Sequence, residues 1–299
     1  MRYEEFIEVI KDMVEERSES EVEVSLQSIL KNNDTRLWGL IFRDTRHNAS
    51  PTIYLERFFD EFNNGESLEK IADSIIEVYK INCVGDDWDM DFYMHFETVK
   101  DRLFLKIISH ASNSQVLKDV PYEPFLDMAL VPYCIFKNDK AGEGSILVHD
   151  SHLELWNVTR DEVFEIARKN TFTPDRWEMI PMAEIIKNML GDNYKGDIAE
   201  DECPMYVLSG KNRFYGAVYM ASNDTLSEVA RRLESDFYVL PSSVHECIVV
   251  PSGDRSQGEQ FSDMVREVNA TEVDEPEILS NHAYYYVRSK GLMSVADFS

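Results

Sequence analysis

The order of apolar segments between residues 205 and 288 is the feature that most restricts how this chain can fold. Short apolar runs typical of strands alternate with amphipathic stretches typical of helices: MYVLS, YGAVYM, a helix from Asn223 or Asp224 to Leu233, FYVLP, HECIVVP, EQFSDMVREV and AYYYVR. The predicted order is ββαββαβ. It favours an α+β fold of mostly antiparallel sheets with helices packed on one face. The chain has no GxGxxG or Walker A pattern, so no nucleotide cofactor is predicted.

The first 190 residues also mix helices with strands. Apolar residues at helical spacing predict helices over 3–16 and, after the N-cap Ser67, over 68–80. Alternating apolar and polar residues in EVEVSLQSIL and TRLWGLIFR, joined by KNND, predict a β-hairpin. Further strands are predicted at LFLKIIS, FLDMALVPYCIF and SILVH, and further helices at RDEVFEIARKN and MAEIIKNML. Pro132 favours an edge or a bulge for part of the second of these strands.

The segment GDNYKGDIAEDECP, residues 191–204, loses all hydrophobic periodicity. At about 150 residues per domain, a chain of 299 residues is long enough for two domains. We therefore predict an N-terminal α+β region of residues 1–192, a linker of residues 193–202 and a C-terminal α+β unit of residues 203–299. A loop is also predicted at residues 82–91.

The charge balance restricts the partners of the protein. The chain has 30 Lys and Arg residues against 56 Asp and Glu residues, a net charge of −26 at pH 7. Such a field repels phosphate backbones and anionic lipid, so direct binding to nucleic acid or to a membrane is not predicted. The acidic residues can face a basic surface on a partner protein, imitate nucleic acid, or keep the chain in solution.

The N-terminal segment MRYEEFIEVIKDMVEE is acidic and amphipathic, unlike the basic and apolar parts of a secretory signal. The most apolar stretches, LFLKII and MALVPYCIF, are much shorter than the ~20 residues of a membrane span. We therefore expect a cytoplasmic protein. The cysteines contain no CxxC pair and are expected to be reduced thiols: Cys83, Cys134, Cys203 and Cys247.

The stretch PSSVHECIVVP, residues 241–251, contains the residue types of a hydrolase site. Ser243 or Cys247 could serve as a nucleophile with His245 as its base. In a strand, however, His245 and Cys247 would lie ~6 to 7 Å apart on one face, beyond direct contact, and Glu246 would point to the other face. Two serines after a proline are typical of a turn. A hairpin with a structural histidine is the favoured interpretation, and a catalytic pair is the alternative.

A second polar cluster is HDSH, residues 149–152. His149 and His152 could hold zinc together with Asp150 if the two histidines shared one face of a helix. No third ligand stands at a diagnostic spacing. The capping of the following helix by Asp150 or Ser151 explains the cluster equally well. No metal site is predicted, and these three residues remain the candidates.

Several long segments together resemble a known protein family: KNNDTRLWGL, NASPTIYLERFFDEFNNG, FYVLPSSVHECIVVP, MVREVNATEV and LSNHAYYY. Over nearly its whole length the chain is similar to a family of unknown function from anaerobic Gram-positive gut bacteria. The C-terminal half more weakly resembles another uncharacterised bacillary family. The resemblance implies a bacterial cytosolic protein and supplies no activity, ligand or catalytic residue.

Three functional hypotheses follow from the sequence. The first is a non-enzymatic cytosolic protein that binds or regulates another protein, whose surface could be basic, because no catalytic constellation stands out and the chain is strongly acidic. The second is a hydrolase-like enzyme that uses His245 with Ser243 or Cys247. The third is an acidic mimic of nucleic acid that blocks a basic site on a protein.

Overall fold

The computed structural model describes residues 1–44, 52–82, 91–138, 142–190 and 204–296. The chain divides into two compact units: a first unit of Met1–Met94 with Phe136–Gly144, and a second unit of His95–Ile135 with Ser145–Ser299. Residues 83–90 of the predicted loop and the predicted linker 193–202 lie outside the described residues. No helix in the described ranges has both the length and the apolar character that crossing a membrane requires.

The first unit is built from a three-stranded antiparallel sheet and helices. Its elements are α1 (Tyr3–Arg17), β1 (Val22–Leu30), β2 (Arg36–Asp44), β3 (Thr52–Tyr54), α2 (Glu56–Asn63), α3 (Leu68–Asn82) and α4 (Asp91–Met94). The strand order is β1-β2-β3, and α1 packs on α3 and β1. The predicted first helix, the N-terminal hairpin and the helix after Ser67 are confirmed.

The core of the first unit follows the predicted amphipathic faces. Val22 and Val24 of β1 are buried, whereas Glu23 between them is exposed. Val24 lies opposite Phe42 of β2, whose ring stacks on Tyr79 of α3 at a centroid distance of 4.3 Å. The helices contribute a matching set of buried apolar residues: Phe6, Ile10, Val14, Ile71, Ala72 and Ile75.

The second unit contains two sheets and several helices. Its elements are α5 (Phe96–Val99), β4 (Leu103–Ser109), β5 (Glu123–Phe125), β6 (Met128–Asn138), β7 (Gly142–Leu147), α6 (Asp150–Trp156), α7 (Arg160–Thr171), β8 (Trp177–Pro181), α8 (Met182–Leu190), β9 (Tyr206–Gly210), α9 (Asn223–Leu233), β10 (Phe237–Pro241), β11 (Glu246–Pro251), α10 (Gly258–Thr271), β12 (Tyr284–Val287) and β13 (Leu292–Val295). The end of β6 from Phe136 and the start of β7 up to Gly144 belong to the first unit.

The strand pairings establish the fold class. One sheet has the order β13-β12-β10-β11-β9-β8, and all of its pairings are antiparallel. The other has the order β4-β6-β5, with β7 paired to β6. The predicted α+β fold with mostly antiparallel sheets is confirmed.

Helical segments cover both faces of the six-stranded sheet, where the sequence favoured one. On one face, Tyr238 packs in a cluster with Val265 of α10. On the other face, the Cys247 Sγ lies 3.8 Å from the Met220 Sδ in the 3₁₀ helix Gly216–Ala221. This double coverage explains why FYVLP is a continuous apolar run without alternation, since β10 is buried at every position.

The segment YGAVYM was predicted as a strand, and this prediction is wrong because Gly216–Ala221 form a 3₁₀ helix. A Cβ atom on Gly216 would lie 2.2 Å from the Gly210 nitrogen and 2.6 Å from the His245 carbonyl oxygen. The chain therefore passes closer to β9 and to the turn before β11 than any residue but glycine allows. All residues from Gly216 to Met220 are buried, so the apolar pattern carries no period that separates strand from helix. Strand β13, which was not predicted, completes the C-terminal order.

Pro132 lies inside a sheet, and the predicted edge or bulge is wrong. Pro132 pairs with Leu105 of β4, and the Leu105 N–H points away from β6, donating to the Thr171 Oγ1 at 2.8 Å. On the other side, the Pro132 carbonyl accepts from the Val148 N–H at 3.0 Å. In an antiparallel ladder the N–H and C=O of one residue point to the same neighbour. The Pro132 nitrogen, which carries no hydrogen, therefore points toward the end of β7. The pairing of β6 with β4 loses no hydrogen bond.

The division into units differs from the predicted boundary at 193–202. That boundary would separate β8 from β9, yet Trp177–Pro181 pairs with Tyr206–Gly210 in one sheet. Both of these strands belong to the second unit. The second unit therefore begins at His95 and includes most of the region that the sequence assigned to the N-terminal domain.

Candidate functional site

The predicted hairpin around PSSVHECIVVP is confirmed, with Pro241 of β10 opposite Cys247 of β11. Ser243 lies in its turn, where its N–H donates to the Glu246 carbonyl oxygen at 3.3 Å. The Ser243 hydroxyl oxygen accepts from the N–H of His245 at 3.0 Å. Such a contact from a serine hydroxyl to the backbone two residues ahead is ordinary turn chemistry. The structure therefore brings Ser243 to the backbone of His245.

The imidazole of His245 holds a neighbouring segment of the chain. Its Nδ1 accepts from the N–H of Tyr215 at 3.1 Å, and its Nε2 lies 3.6 Å from the Glu277 Oε1. The ring stacks on the Tyr215 ring at a centroid distance of 5.5 Å and an interplanar angle of 10°. An Nδ1 that accepts a hydrogen bond carries no proton, so the proton of the neutral ring is on Nε2. In this arrangement His245 positions Tyr215.

Cys247 is completely buried in the second unit. Its Sγ lies 3.9 Å from the Ala217 carbonyl oxygen and 3.8 Å from the Met220 Sδ. Burial raises the pKa of the Cys247 thiol far above its ordinary value, and the nearby Glu246 carboxylate raises this pKa further. A thiol in these surroundings stays protonated at neutral pH and is a poor nucleophile.

We expect Cys247 to react with iodoacetamide at least about 100-fold more slowly in the native protein than in the unfolded protein, because reaction requires opening of the structure around it. Mass spectrometry of the peptide that contains Cys247, sampled over time with and without urea, measures both rates. Cys134 is an internal reference, since it is also buried and burial raises its pKa to about 12. Rapid labelling of Cys247 that increases with pH while the fold stays intact would favour the catalytic alternative.

The HDSH cluster forms the start of α6. His149 precedes the helix, and its N–H donates to the His152 Nδ1 at 2.9 Å. The His149 Nδ1 lies 3.2 Å from the Asp119 Oδ2, and the Asp150 N–H donates to the Asp119 carbonyl oxygen at 2.8 Å. Burial, with a smaller contribution from His149, lowers the pKa of His152. The described ranges hold no group of three or more His, Cys, Asp or Glu side chains arranged for a metal ion.

A cleft of about 160 Å³ opens in the second unit between β4 and β6 on one side and the segment that follows β9 on the other. Its aromatic lining residues are Phe104, Tyr133, Phe214, Tyr215 and Tyr219. Its charged lining residues are Asp175, Arg176 and Lys211. A concave site with apolar walls and a few charged groups is the usual form of a binding site.

The segment between β9 and the 3₁₀ helix has an unusual backbone. Arg213 and Tyr215 have φ angles of 58° and 52°, in the left-handed region that residues other than glycine rarely occupy. Hydrogen bonds hold this shape, from the Arg213 N–H to the Gly210 oxygen at 2.8 Å and from the Lys211 N–H to the Arg176 oxygen at 2.9 Å. Backbone in sparsely populated conformations often accompanies functional sites.

Tyr215 is held in the cleft from several directions. Besides its contacts with His245, its ring meets Tyr133 edge to face at a centroid distance of 4.9 Å. The Lys106 Nζ lies 4.5 Å from the centroid of the Tyr215 ring, within the range of a cation–π contact. The ring is therefore a fixed part of the wall.

Two cations in the cleft lack a carboxylate partner. The Arg176 guanidinium lies over the Phe104 ring, with Cζ 4.8 Å from the centroid. Throughout the described part of the chain, no carboxylate forms an ion pair with Arg176 or Lys211. By contrast, the neighbouring Arg213 pairs with Glu178 at 3.1 Å. Unpaired cations stand out in a chain with 56 acidic and 30 basic residues.

The polar atoms at the base of the cleft bind the protein itself. The Thr171 hydroxyl donates to the Ala167 oxygen at 2.7 Å while it accepts from the Leu105 N–H. The Tyr219 hydroxyl donates to the Thr171 oxygen at 3.3 Å. Burial raises the pKa of Tyr219 to about 12, so its phenol is neutral at pH 7. These groups stabilise the protein around the cleft, and the charged groups of the lining are Arg176, Lys211 and Asp175.

The comparison with known proteins gives the family. Residues 3–288 match the model of a family of unknown function (DUF5688). The chain belongs to this family. No curated protein and no solved structure matches the chain. Membership in the DUF5688 family brings no residue roles with it, so the interpretation of the cleft depends on the geometry above.

Sequence reasoning did not predict the cleft. Its lining residues come from β4, β6, the end of α7 and the segment after β9, so more than 100 positions separate Phe104 from Phe214. The local signal was KNRFYG, residues 211–216, in which two cations adjoin two aromatic residues. Such a mixture is typical of a site that combines charge with ring contacts. The sequence predicts only a turn at GKNR, residues 210–213, between MYVLS and YGAVYM.

Proposed function

We propose that this protein is a non-enzymatic, cytosolic protein-binding or regulatory protein, and that its cleft contacts the partner. The observation that carries the proposal is that Arg176, which lies over the Phe104 ring, and Lys211 both line the cleft without an ion pair to any described carboxylate, in a chain of net charge −26. An unpaired cation beside an aromatic ring attracts an anionic group more strongly than one already neutralised by a carboxylate. The cleft therefore selects an anionic group on the partner.

The contacts of the three candidate catalytic residues favour a binding role over the hydrolase alternative. Ser243 accepts a backbone hydrogen bond, His245 holds Tyr215, and Cys247 is buried with a raised pKa. An acyl-transfer site needs a nucleophile within hydrogen-bond reach of its base and open to the substrate. Of the three, His245 contacts the cleft, through Tyr215, whereas Ser243 contacts the turn and Cys247 contacts Ala217 and Met220.

The acidic residues outside the cleft favour a partner whose surrounding surface is basic. With 56 acidic residues in the chain, a partner that presents basic residues around its anionic group gains attraction over a wide area. The proposal includes the bacterial, cytoplasmic setting that the family resemblance implies. It predicts that raising the salt concentration weakens the complex.

Photo-crosslinking from the mouth of the cleft tests this proposal. Phe214 is 40% exposed and lines the cleft, so a photoreactive phenylalanine analogue at this position is expected to capture the partner in a lysate of the source cells. The same analogue at Leu292, which is 60% exposed on β13 and does not line the cleft, is the matched control.

The double substitution Arg176→Ala with Lys211→Ala is expected to abolish the crosslink from position 214. Lys118→Ala is the control for loss of an exposed cation, because the Lys118 Nζ donates to the Gln115 side chain and lies outside the cleft. A crosslink that persists in the double variant, or equal capture from positions 214 and 292, would contradict a partner bound at the cleft.

A further inference from the structure

We infer that the cleft binds a single aromatic ring that carries one carboxylate group. This inference rests on the proposed function of the cleft as a binding site and names the chemical group that it takes. Three properties of the cleft lead to it, namely its volume, its walls and its charge.

The volume sets the size of the ligand. The cleft measures about 160 Å³. An apolar cavity of ~150 Å³ holds one benzene molecule, whereas sites for drug-sized ligands measure about 300 to 1,000 Å³. The cleft therefore has room to enclose one ring with a small substituent.

The walls determine the character of the ligand body. Phe104 and Tyr133 are 8% and 4% exposed, so the inner walls are fixed rings with little mobility. Phe214 also lines the cleft and is 40% exposed, and its ring contacts Tyr215 and His245 at centroid distances of 4.1 and 5.4 Å. Rings attract one another in offset-stacked or edge-to-face geometry, and a ligand ring completes such contacts with these three side chains.

The charges determine the substituent. Arg176 and Lys211 contribute two positive charges and Asp175 one negative charge, which leaves the lining with a net charge of +1. A carboxylate carries a single negative charge and matches this balance, whereas a phosphate monoester carries about −1.5 to −2 at pH 7. The Arg176 guanidinium, stacked over Phe104, offers the planar pair of N–H groups that a carboxylate accepts in bidentate fashion.

Two sources supply this chemistry. One is a free aromatic carboxylic acid, and the other is the C-terminal residue of a protein that ends in phenylalanine or tyrosine. Phenylacetate represents the first source and N-acetylphenylalanine the second. Their amides, phenylacetamide and N-acetylphenylalaninamide, keep the ring and remove the charge.

Isothermal titration of the full chain with these four compounds and with phenyl phosphate tests the inference. At least one acid is expected to bind with one-to-one stoichiometry, and its amide about tenfold more weakly, as expected for loss of a charge-assisted contact. Tighter binding of N-acetylphenylalanine would identify a protein C-terminus as the source, and tighter binding of phenylacetate a free acid. The inference is overturned if neither acid binds, if an amide binds as tightly as its acid, or if phenyl phosphate binds more tightly than both acids.

The combined Arg176→Ala and Lys211→Ala variant is expected to bind acid and amide equally, with Lys118→Ala retaining the tenfold preference. A preference that survives in a folded double variant, as judged by its circular dichroism spectrum, would place the carboxylate elsewhere and overturn the inference. The crosslinking experiment separates the two proposals. A partner captured at position 214 without binding of either acid would remove the inference and leave the proposed function, and binding of an acid without a captured partner would do the reverse.

Discussion

Gly216→Ala is expected to lower the free energy of unfolding of the second unit by about 3 kcal/mol or more, at the upper end of the cost of overpacking a core. The added Cβ would lie 2.2 Å from the Gly210 nitrogen, 2.6 Å from the His245 oxygen and 2.8 Å from the Ser209 carbonyl carbon. All three are backbone atoms of the sheet or its turn, so no flexible side chain can move aside. Urea denaturation followed by circular dichroism measures the change.

Gly253→Ala is the matched control in the same unit. No atom lies within 4 Å of a Cβ added at Gly253, and its backbone needs no positive φ. Its effect is expected to stay within about 0.5 kcal/mol, as for most surface substitutions. If the urea midpoint of Gly216→Ala equalled that of Gly253→Ala, the 3₁₀ helix could not pack against β9 as closely as described.

Val24→Asp is expected to destabilise the first unit by about 3 to 5 kcal/mol, the usual cost of a buried charge without a partner. Val24 is 3% exposed and belongs to the core formed by α1, α3 and the sheet. It lies opposite Phe42, so an aspartate would meet apolar side chains that offer no hydrogen bond. The midpoint of urea unfolding, monitored by circular dichroism, reports the change.

Gln27→Asp introduces the same charge on the same strand as a control. Gln27 is exposed and stands three positions after Val24. Because side chains alternate along a strand, Gln27 and Val24 point to opposite sides of β1. Its expected effect is below about 1 kcal/mol, the full range of strand propensity. Equal midpoints for the two aspartate variants would show that Val24 does not face the core.

The sequence was most informative where an element has one buried face and one solvent-exposed face. In β1, buried Val22 and Val24 alternate with exposed Glu23. At the start of α7, Thr159 and Glu162 stand at the spacing of a capping box, and the Thr159 hydroxyl accepts from the Glu162 N–H. Such patterns are local and therefore legible in a single sequence.

The sequence was least informative where the surroundings override the local pattern. The run from Gly216 to Met220 is buried on all sides, so neither a strand nor a helical period can appear. A proline within a strand predicts an edge position. The hydrogen bond from the Leu105 N–H to Thr171 shows instead that β4 needs no hydrogen bond from the Pro132 nitrogen. The cleft was hidden for a related reason, because its residues come from distant segments and meet only through the pairing of strands.

The hydrogen bond between Leu105 and Thr171 also affects how other chains can approach β4. Open N–H and C=O groups at a sheet edge invite the addition of a foreign strand. Here the last turn of α7 occupies that edge, as the Thr171 hydroxyl takes the Leu105 N–H and the Asn170 side chain donates to the Leu103 oxygen at 2.9 Å. Along Leu103–Leu105, a protein that reaches this edge meets side chains in place of open backbone groups, and the same closure deprives further copies of the chain of a template for fibril stacking at this part of β4.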